Sequence, residues 1–251
     1  MPKGKLIAIE GIDGAGKRTQ LDLLCAMLER RGVAYHRMSF PRYNSFFGKL
    51  VGRFLDGTFG GLHQVDPHVT APLYAGDRLE ARPEMASALA AGKVIVTDRY
   101  IGSNLAHQTA RVPAAERDQF LAWLRELEYG VYSLPQEDLV LYLRLPASHA
   151  QRLVMQKAGR DYTEKKMDIQ EADRAHLEAA AGIYDQLATQ PNWARIECFD
   201  ERAQSMRSPE EIHQDVVSSI EQHKVLGKAA RMHPATSRRA GARKKKRHGV
   251  R

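Results

Sequence analysis

The chain has 251 residues, 43% of them hydrophobic and 27% charged, which suits one soluble domain with a sizeable core. No apolar run approaches the roughly 18 residues of a membrane span, and Cys25 and Cys198 lie far apart without a CxxC pattern, so a membrane protein, a disulfide scaffold and a structural zinc site are excluded. The formal charge of +8 sits at one end: residues Lys228 to Arg251 hold ten Lys/Arg and no acid, which leaves 28 basic against 30 acidic residues before them.

In chain order, Leu6 to Glu10 reads as a buried strand, and because Glu10 interrupts the apolar run and a glycine-rich loop follows, it does not read as a signal peptide. A cytoplasmic location is the expectation. Leu21, Leu24, Cys25 and Leu28 then repeat at helical spacing, as do Phe47, Leu50, Val51 and Phe54 on either side of a strand from Val33 to Phe40. Lys93 to Asp98 forms the third strand, Phe120 to Leu127 a helix, Asp138 to Leu145 the fourth strand, Leu177 to Leu187 another helix and Arg195 to Phe199 the fifth strand. The last helix opens on Ser208, Pro209 and Glu211, a capping box with proline at the first helical position, ahead of Ile212, Val216, Val217 and Ile220. Strands alternating with helices imply a parallel α/β sheet with its ligands at the carboxyl ends of the strands. One domain is expected over residues 1–226. Residues 227–251 read as a basic disordered tail, because they lack an apolar period and cannot offset the entropy of ordering; weak, salt-dependent nucleic-acid binding is the most that such a tail implies.

Two segments carry chemistry. Gly11-Ile-Asp-Gly-Ala-Gly-Lys17, between strand and helix, has the form of a phosphate-binding loop. The main chain of Gly11, Gly14, Ala15 and Gly16 would turn N–H groups towards the phosphates of ATP, and Lys17 would neutralise the β and γ phosphates. The next residue, normally the hydroxyl that ligates Mg²⁺, is Arg18, with Thr19 one place later. A guanidinium cannot hold a cation, so Mg²⁺ must lean on Asp98, on phosphate oxygens and water, or on a displaced Thr19. The second segment, Asp98-Arg99-Tyr100, puts an acid and a base at the end of a buried strand; Asp98 could hold Mg²⁺ through water and Arg99 could stabilise charge during phosphoryl transfer.

These segments, together with Phe40-Pro41-Arg42-Tyr43, Leu73-Tyr74-Ala75-Gly76-Asp77-Arg78, Ser103-Asn104-Leu105-Ala106-His107-Gln108, Asp138-Leu139-Val140-Leu141-Tyr142-Leu143 and Asp168-x-x-Glu171-x-Asp173, resemble the thymidylate kinase family in order and spacing over about residues 4–222. The resemblance implies a P-loop fold with a five-stranded parallel sheet flanked by helices and a mobile lid, transfer of the γ-phosphoryl of ATP to dTMP with Mg²⁺, and a homodimer. Position by position it implies that Asp13 accepts the sugar 3′-hydroxyl, that Tyr74 stacks on thymine, and that Arg78 meets the base edge. Asn104 would face the base with a donor and an acceptor, beside Ser103. Phe40, Arg42 and Tyr43 would hold the acceptor phosphate, with Arg99 bridging to the donor. His107 stands where the family has Tyr or Phe near the sugar, which leaves discrimination between deoxyribose and ribose open. The lid matches residues 152–166. Because Gly14 is a plain glycine, the resemblance implies a catalytic arginine from the lid, Arg160, with Lys165 and Lys166 as substitutes and Arg152 against the adenine. Two other readings stay open from the residues: a kinase of another nucleotide or a deoxynucleoside, and a non-catalytic P-loop module that binds nucleic acid through its tail.

Overall fold

The computed structural model describes residues 3–150 and 168–226. Five strands, β1 (Lys5–Glu10), β2 (Tyr35–Ser39), β3 (Val94–Asp98), β4 (Leu139–Arg144) and β5 (Trp193–Glu197), form one sheet in the order β2-β3-β1-β4-β5. All four pairings are parallel. Leu6, Ile7, Ala8 and Ile9 of the central β1 are fully buried, as a strand covered by helices on both faces requires. The covering helices are α1 (Lys17–Arg30), α2 (Phe46–Leu55), α3 (Pro67–Ala90), α4 (Ile101–Thr109), α5 (Arg117–Arg125), α6 (Arg174–Leu187) and α7 (Pro209–Gln222). None of the described helices is long and apolar enough to cross a membrane. Cys25 and Cys198 are both buried and free.

The expected elements recur with edges trimmed by local bonding. β2 starts at Tyr35 rather than Val33 because the Val33 N–H closes the end of α1 on the Leu28 carbonyl at 2.9 Å. β5 starts two residues earlier than expected, at the buried Trp193. It ends at Glu197, so Phe199 pairs in a separate two-residue antiparallel ribbon, Phe199–Asp200 (β6) with Ser205–Met206 (β7). The helix after Phe120 ends in a π-helical stretch, Glu126–Val131. The capping box of α7 is present, with Glu211 N–H on Ser208 Oγ at 3.2 Å and Ser208 N–H on Glu211 Oε2 at 2.8 Å.

Register brings the chemistry to one edge. Asp98 pairs with Ile9 on one side and Ser39 on the other. Beyond it the Arg99 N–H reaches the Ile9 carbonyl at 2.9 Å and the Phe40 N–H reaches the Asp98 carbonyl at 3.0 Å. The glycine loop, the Asp98-Arg99 pair and the Phe40-Pro41 segment therefore leave the sheet side by side. A smaller apolar cluster of Val51, Phe54, Leu55 and Leu62, with Tyr43 and Tyr74 against it, fixes α2 to α3 and builds the wall facing that edge.

Candidate active site

Two adjoining cavities open at this edge, and both are lined by Asp13, Phe40, Pro41, Tyr43 and Arg99. The first, about 380 Å³, lies over the glycine loop and includes Gly14, Gly16, Lys17, Arg18, Thr19 and Asp98. Gly11 has φ 140°, and a Cβ there would come within 2.5 Å of the Leu143 carbonyl oxygen; only glycine lets the loop pass so close to β4. Gly16 caps α1 at φ 87° and provides no side-chain bond to the first turn. The opening N–H groups of α1 thus keep their capacity for an anion, reinforced by the helix dipole. Lys17, 7% exposed, rests its ammonium on the Gly11 and Ile12 carbonyls, each at 3.0 Å, with Asp13 Oδ1 at 3.8 Å.

Arg99 forms the neck between the cavities. Its backbone is left-handed, φ 64°, and its guanidinium donates to Asp13 Oδ1 at 2.7 Å, Ser103 Oγ at 2.9 Å and the Gly11 carbonyl at 3.3 Å. Burial would push the Asp13 carboxyl up, but Arg99 and Lys17 beside it hold it well below the usual carboxylate range. Asp13 is therefore an acceptor at any working pH.

The second cavity, about 260 Å³, runs from that neck between α3 and α4 and includes Tyr74, Arg78, Ser103, Asn104, His107 and Gln170. Tyr74 meets Phe54 edge-on, with centroids 6.4 Å apart, and its hydroxyl has no partner among the described residues. Arg78 donates from both Nε, at 3.0 Å, and Nη2 to the fully buried Glu128. Asn104 Nδ2 donates to the same carboxylate at 2.7 Å and to the Ala71 carbonyl at 3.1 Å, while Oδ1 is buried without a partner among the described residues. Glu128 and Ala71 thus both accept from the Asn104 amide, and its carbonyl oxygen is the atom left over. His107 Nδ1 is 3.2 Å from His176 Nε2, and Nε2 of His107 lacks a partner among the described residues. Burial drives His107 well below the ordinary histidine range and His176 down to about 4, so the pair is neutral.

Of the expected residues among the described ones, Gly11, Ala15 and Arg42 stand outside both linings, and Arg42 does so although its neighbours Pro41 and Tyr43 line them. Its N–H, Nε and Nη2 all go to Asp77, at 2.7, 3.1 and 2.9 Å, with Glu80 at 3.6 Å. Arg152, Arg160, Lys165 and Lys166, and the tail from residue 227, lie outside the described residues. Sequence reasoning gave no task to Glu10, Glu128 or Gln170. Glu128 is reached only through the fold, since it lies 50 residues from Arg78. Gln170 follows an Asp168 whose Oδ1 accepts the N–H of Gln170 at 2.9 Å and of Glu171 at 3.0 Å, and that Asp-x-x-Glu spacing was the available signal.

Among the described residues no group of three or more His, Cys, Asp or Glu could hold a metal. Asp98, which lines the cavity over the glycine loop, has its Oδ1 buried without a hydrogen-bond partner among the described residues.

The model of the thymidylate kinase family matches residues 9–205. The thymidylate kinase of Mycobacterium tuberculosis H37Rv is 31% identical over 186 residues, covering 74% of this chain and 86% of that protein. The probable thymidylate kinase of Thermococcus gammatolerans is 30% identical over 230 residues, covering 89% of this chain and 99% of the relative. Among solved structures, thymidylate kinase from Candida albicans superposes with a TM-score of 0.69 at 20% identity, covering 89% of this chain and 93% of that one.

Proposed function

The chain belongs to the thymidylate kinase family, and from that premise we propose that it transfers the γ-phosphoryl of ATP to dTMP, giving dTDP and ADP, across the neck held by Asp13 and Arg99. The observation that carries this reading is the junction of two unlike cavities at one pair of charges. A triphosphate suits the glycine loop, where main-chain N–H groups and Lys17 match its charge. A thymidine monophosphate suits the second cavity, where Tyr74 offers a ring face, Arg78 a cation and Asn104 Oδ1 an acceptor. Asp13, held ionised, accepts the sugar hydroxyl, and Arg99 lies where the two phosphate chains meet and charge spreads in the transition state.

Mg²⁺ belongs to this reading, with Asp98 as the protein's contribution and phosphate and water as the remainder. When bound, it supplies neutralisation of phosphate charge. Catalysis by Arg160, adenine contact by Arg152 and closure of residues 152–166 over ATP rest on the resemblance, as does Arg42 acting on the acceptor phosphate, which would require exchange of its bonds to Asp77. The cytoplasmic location and the homodimer also belong here; exposed Phe46 and Val69, 69% and 60% accessible, suit self-association. Nucleic-acid binding by residues 227–251 is supported by their charge alone.

The test is ADP release in the presence of dTMP, dUMP, dGMP or thymidine. The reading requires release with dTMP above all and none with thymidine, which has no phosphate to accept the transfer. ATP binding without any acceptor-dependent release, or a preference for thymidine, would overturn it.

A further inference from the structure

Beneath the neck lies a carboxylate to which phosphoryl transfer has given no task. Glu10 ends β1, is fully buried, and accepts three hydrogen bonds: from the Tyr100 N–H at 2.7 Å, Ser103 Oγ at 2.6 Å and Tyr184 Oη at 2.9 Å. Burying a carboxylate without a cation in contact is costly unless donors surround it, and here all the donors come from segments bordering Arg99. The packing leaves no slack, since a Cβ on Gly102 would sit 3.0 Å from the carboxyl of Glu10.

The polarity of these bonds reaches Arg99. A carboxylate can only accept, so Ser103 Oγ and Tyr184 Oη, 3.0 Å from each other, both direct their protons to Glu10, and a Ser103 lone pair is left for a donor. That lone pair receives Arg99 Nη1 at 2.9 Å, while Asp13 holds Nη2 at 2.7 Å. Ser103, with the Gly11 carbonyl at a longer 3.3 Å, thus fixes one end and Asp13 the other end of a guanidinium that starts from a left-handed backbone. Burial would push the guanidinium down, and Asp13, followed by Tyr184, Asp98 and Glu10, keeps it charged.

We infer that Glu10 is a positioning residue for the transfer: through the Ser103 hydroxyl it orients the Arg99 guanidinium in the neck before either nucleotide binds. This rests on the reading that Arg99 meets the phosphates. In Glu10→Gln the shape is kept but the amide can donate to Ser103 Oγ, which competes for the lone pair and turns the hydroxyl proton towards Arg99.

The experiment is a double-mutant cycle on the full chain, with Glu10→Gln, Ser103→Ala and Arg99→Ala, each checked by thermal melting. Glu10→Gln should lower kcat by about 10–100-fold while changing the dTMP KM by less than about threefold. In the Arg99→Ala background the same substitution should cost less than about twofold, because its route is gone. Ser103→Ala, which leaves Glu10 in place, should reproduce the kcat loss and stands in if Glu10→Gln does not fold. A second readout needs no activity: solvent exchange of the Arg99 guanidinium protons, followed by NMR and identified by their absence in Arg99→Ala, should be slow in the wild type and fast in Glu10→Gln and Ser103→Ala. An equal kcat loss with and without Arg99, or unchanged guanidinium exchange in both variants, would overturn the assignment. If the wild type released no ADP with dTMP, the functional reading would fall, and the exchange measurement would still judge Glu10.

Discussion

The two cavities are built on opposite principles. Half of the phosphate side comes from one stretch, loop to helix, where glycines at φ 140° and 87° shape the main chain and Lys17 adds charge, and the rest from the neighbouring ends of β2 and β3. The nucleoside side relies more on side chains from α3, α4 and the segment at 168–171, several of them held by a partner elsewhere: Arg78 and Asn104 by Glu128, His107 by His176. Phosphate recognition needs only N–H groups and charge, which local chain curvature supplies. Base recognition needs side chains in one orientation, and buried charge supplies that. Damage to the first half should therefore remove chemistry and spare stability, whereas damage to the second half should cost stability and affinity together.

Glu128→Ala strains that contrast most. It strands the Arg78 guanidinium, 3% exposed, in the interior, and breaking a buried pair from one side costs about 3–5 kcal/mol. Denaturant unfolding should show that loss, and surviving protein should have a raised dTMP KM. Lys17→Ala should do the reverse: a preorganised cation on the transferring phosphate contributes roughly 3–4 kcal/mol to the transition state, so turnover should collapse in a coupled assay while the melting curve moves little. The histidine pair gives a pH signature to the nucleoside half alone. His176 is lowered from the ordinary 6.5 to about 4, so between those values the unfolded chain binds a proton that the folded chain refuses. Stability is full above pH 6.5 and declines towards pH 4, by up to about 3 kcal/mol. His176→Leu should flatten urea-derived stability across that window; an unchanged slope would place the titration elsewhere. The smallest effect is Tyr74→Ala, where loss of stacking should raise the dTMP KM by the equivalent of roughly 1–3 kcal/mol. An unchanged KM would return Tyr74 to its contact with Phe54.

The same contrast decides what the sequence could reveal. Strands buried on both faces declare themselves as apolar runs, and the glycine loop is contiguous, so the sheet and the phosphate side were legible from the residues themselves. α3 was not: its 24 residues include Pro72 and Pro83, which oppose a helix, although Asp66 as N-cap and Pro67 at the first turn mark its start. The nucleoside half was legible only as resemblance, because a position such as Asn104 says nothing of a carboxylate 24 residues away that takes its amide proton. Arg42 shows the same limit. Its place beside a cavity-lining tyrosine was readable, and its engagement by Asp77, 35 residues on, was not. Glu10 looked like the polar end of an apolar strand until the fold set three donors around it.

The most direct measurement is calorimetric titration of dTMP into Lys17→Ala without ATP. If the halves are independently built, dTMP should bind within about threefold of its wild-type Kd in a variant whose turnover has fallen by about two orders of magnitude. A dTMP affinity that fell in step with turnover would show that the nucleoside cavity depends on the glycine loop, and the division into two halves would be wrong.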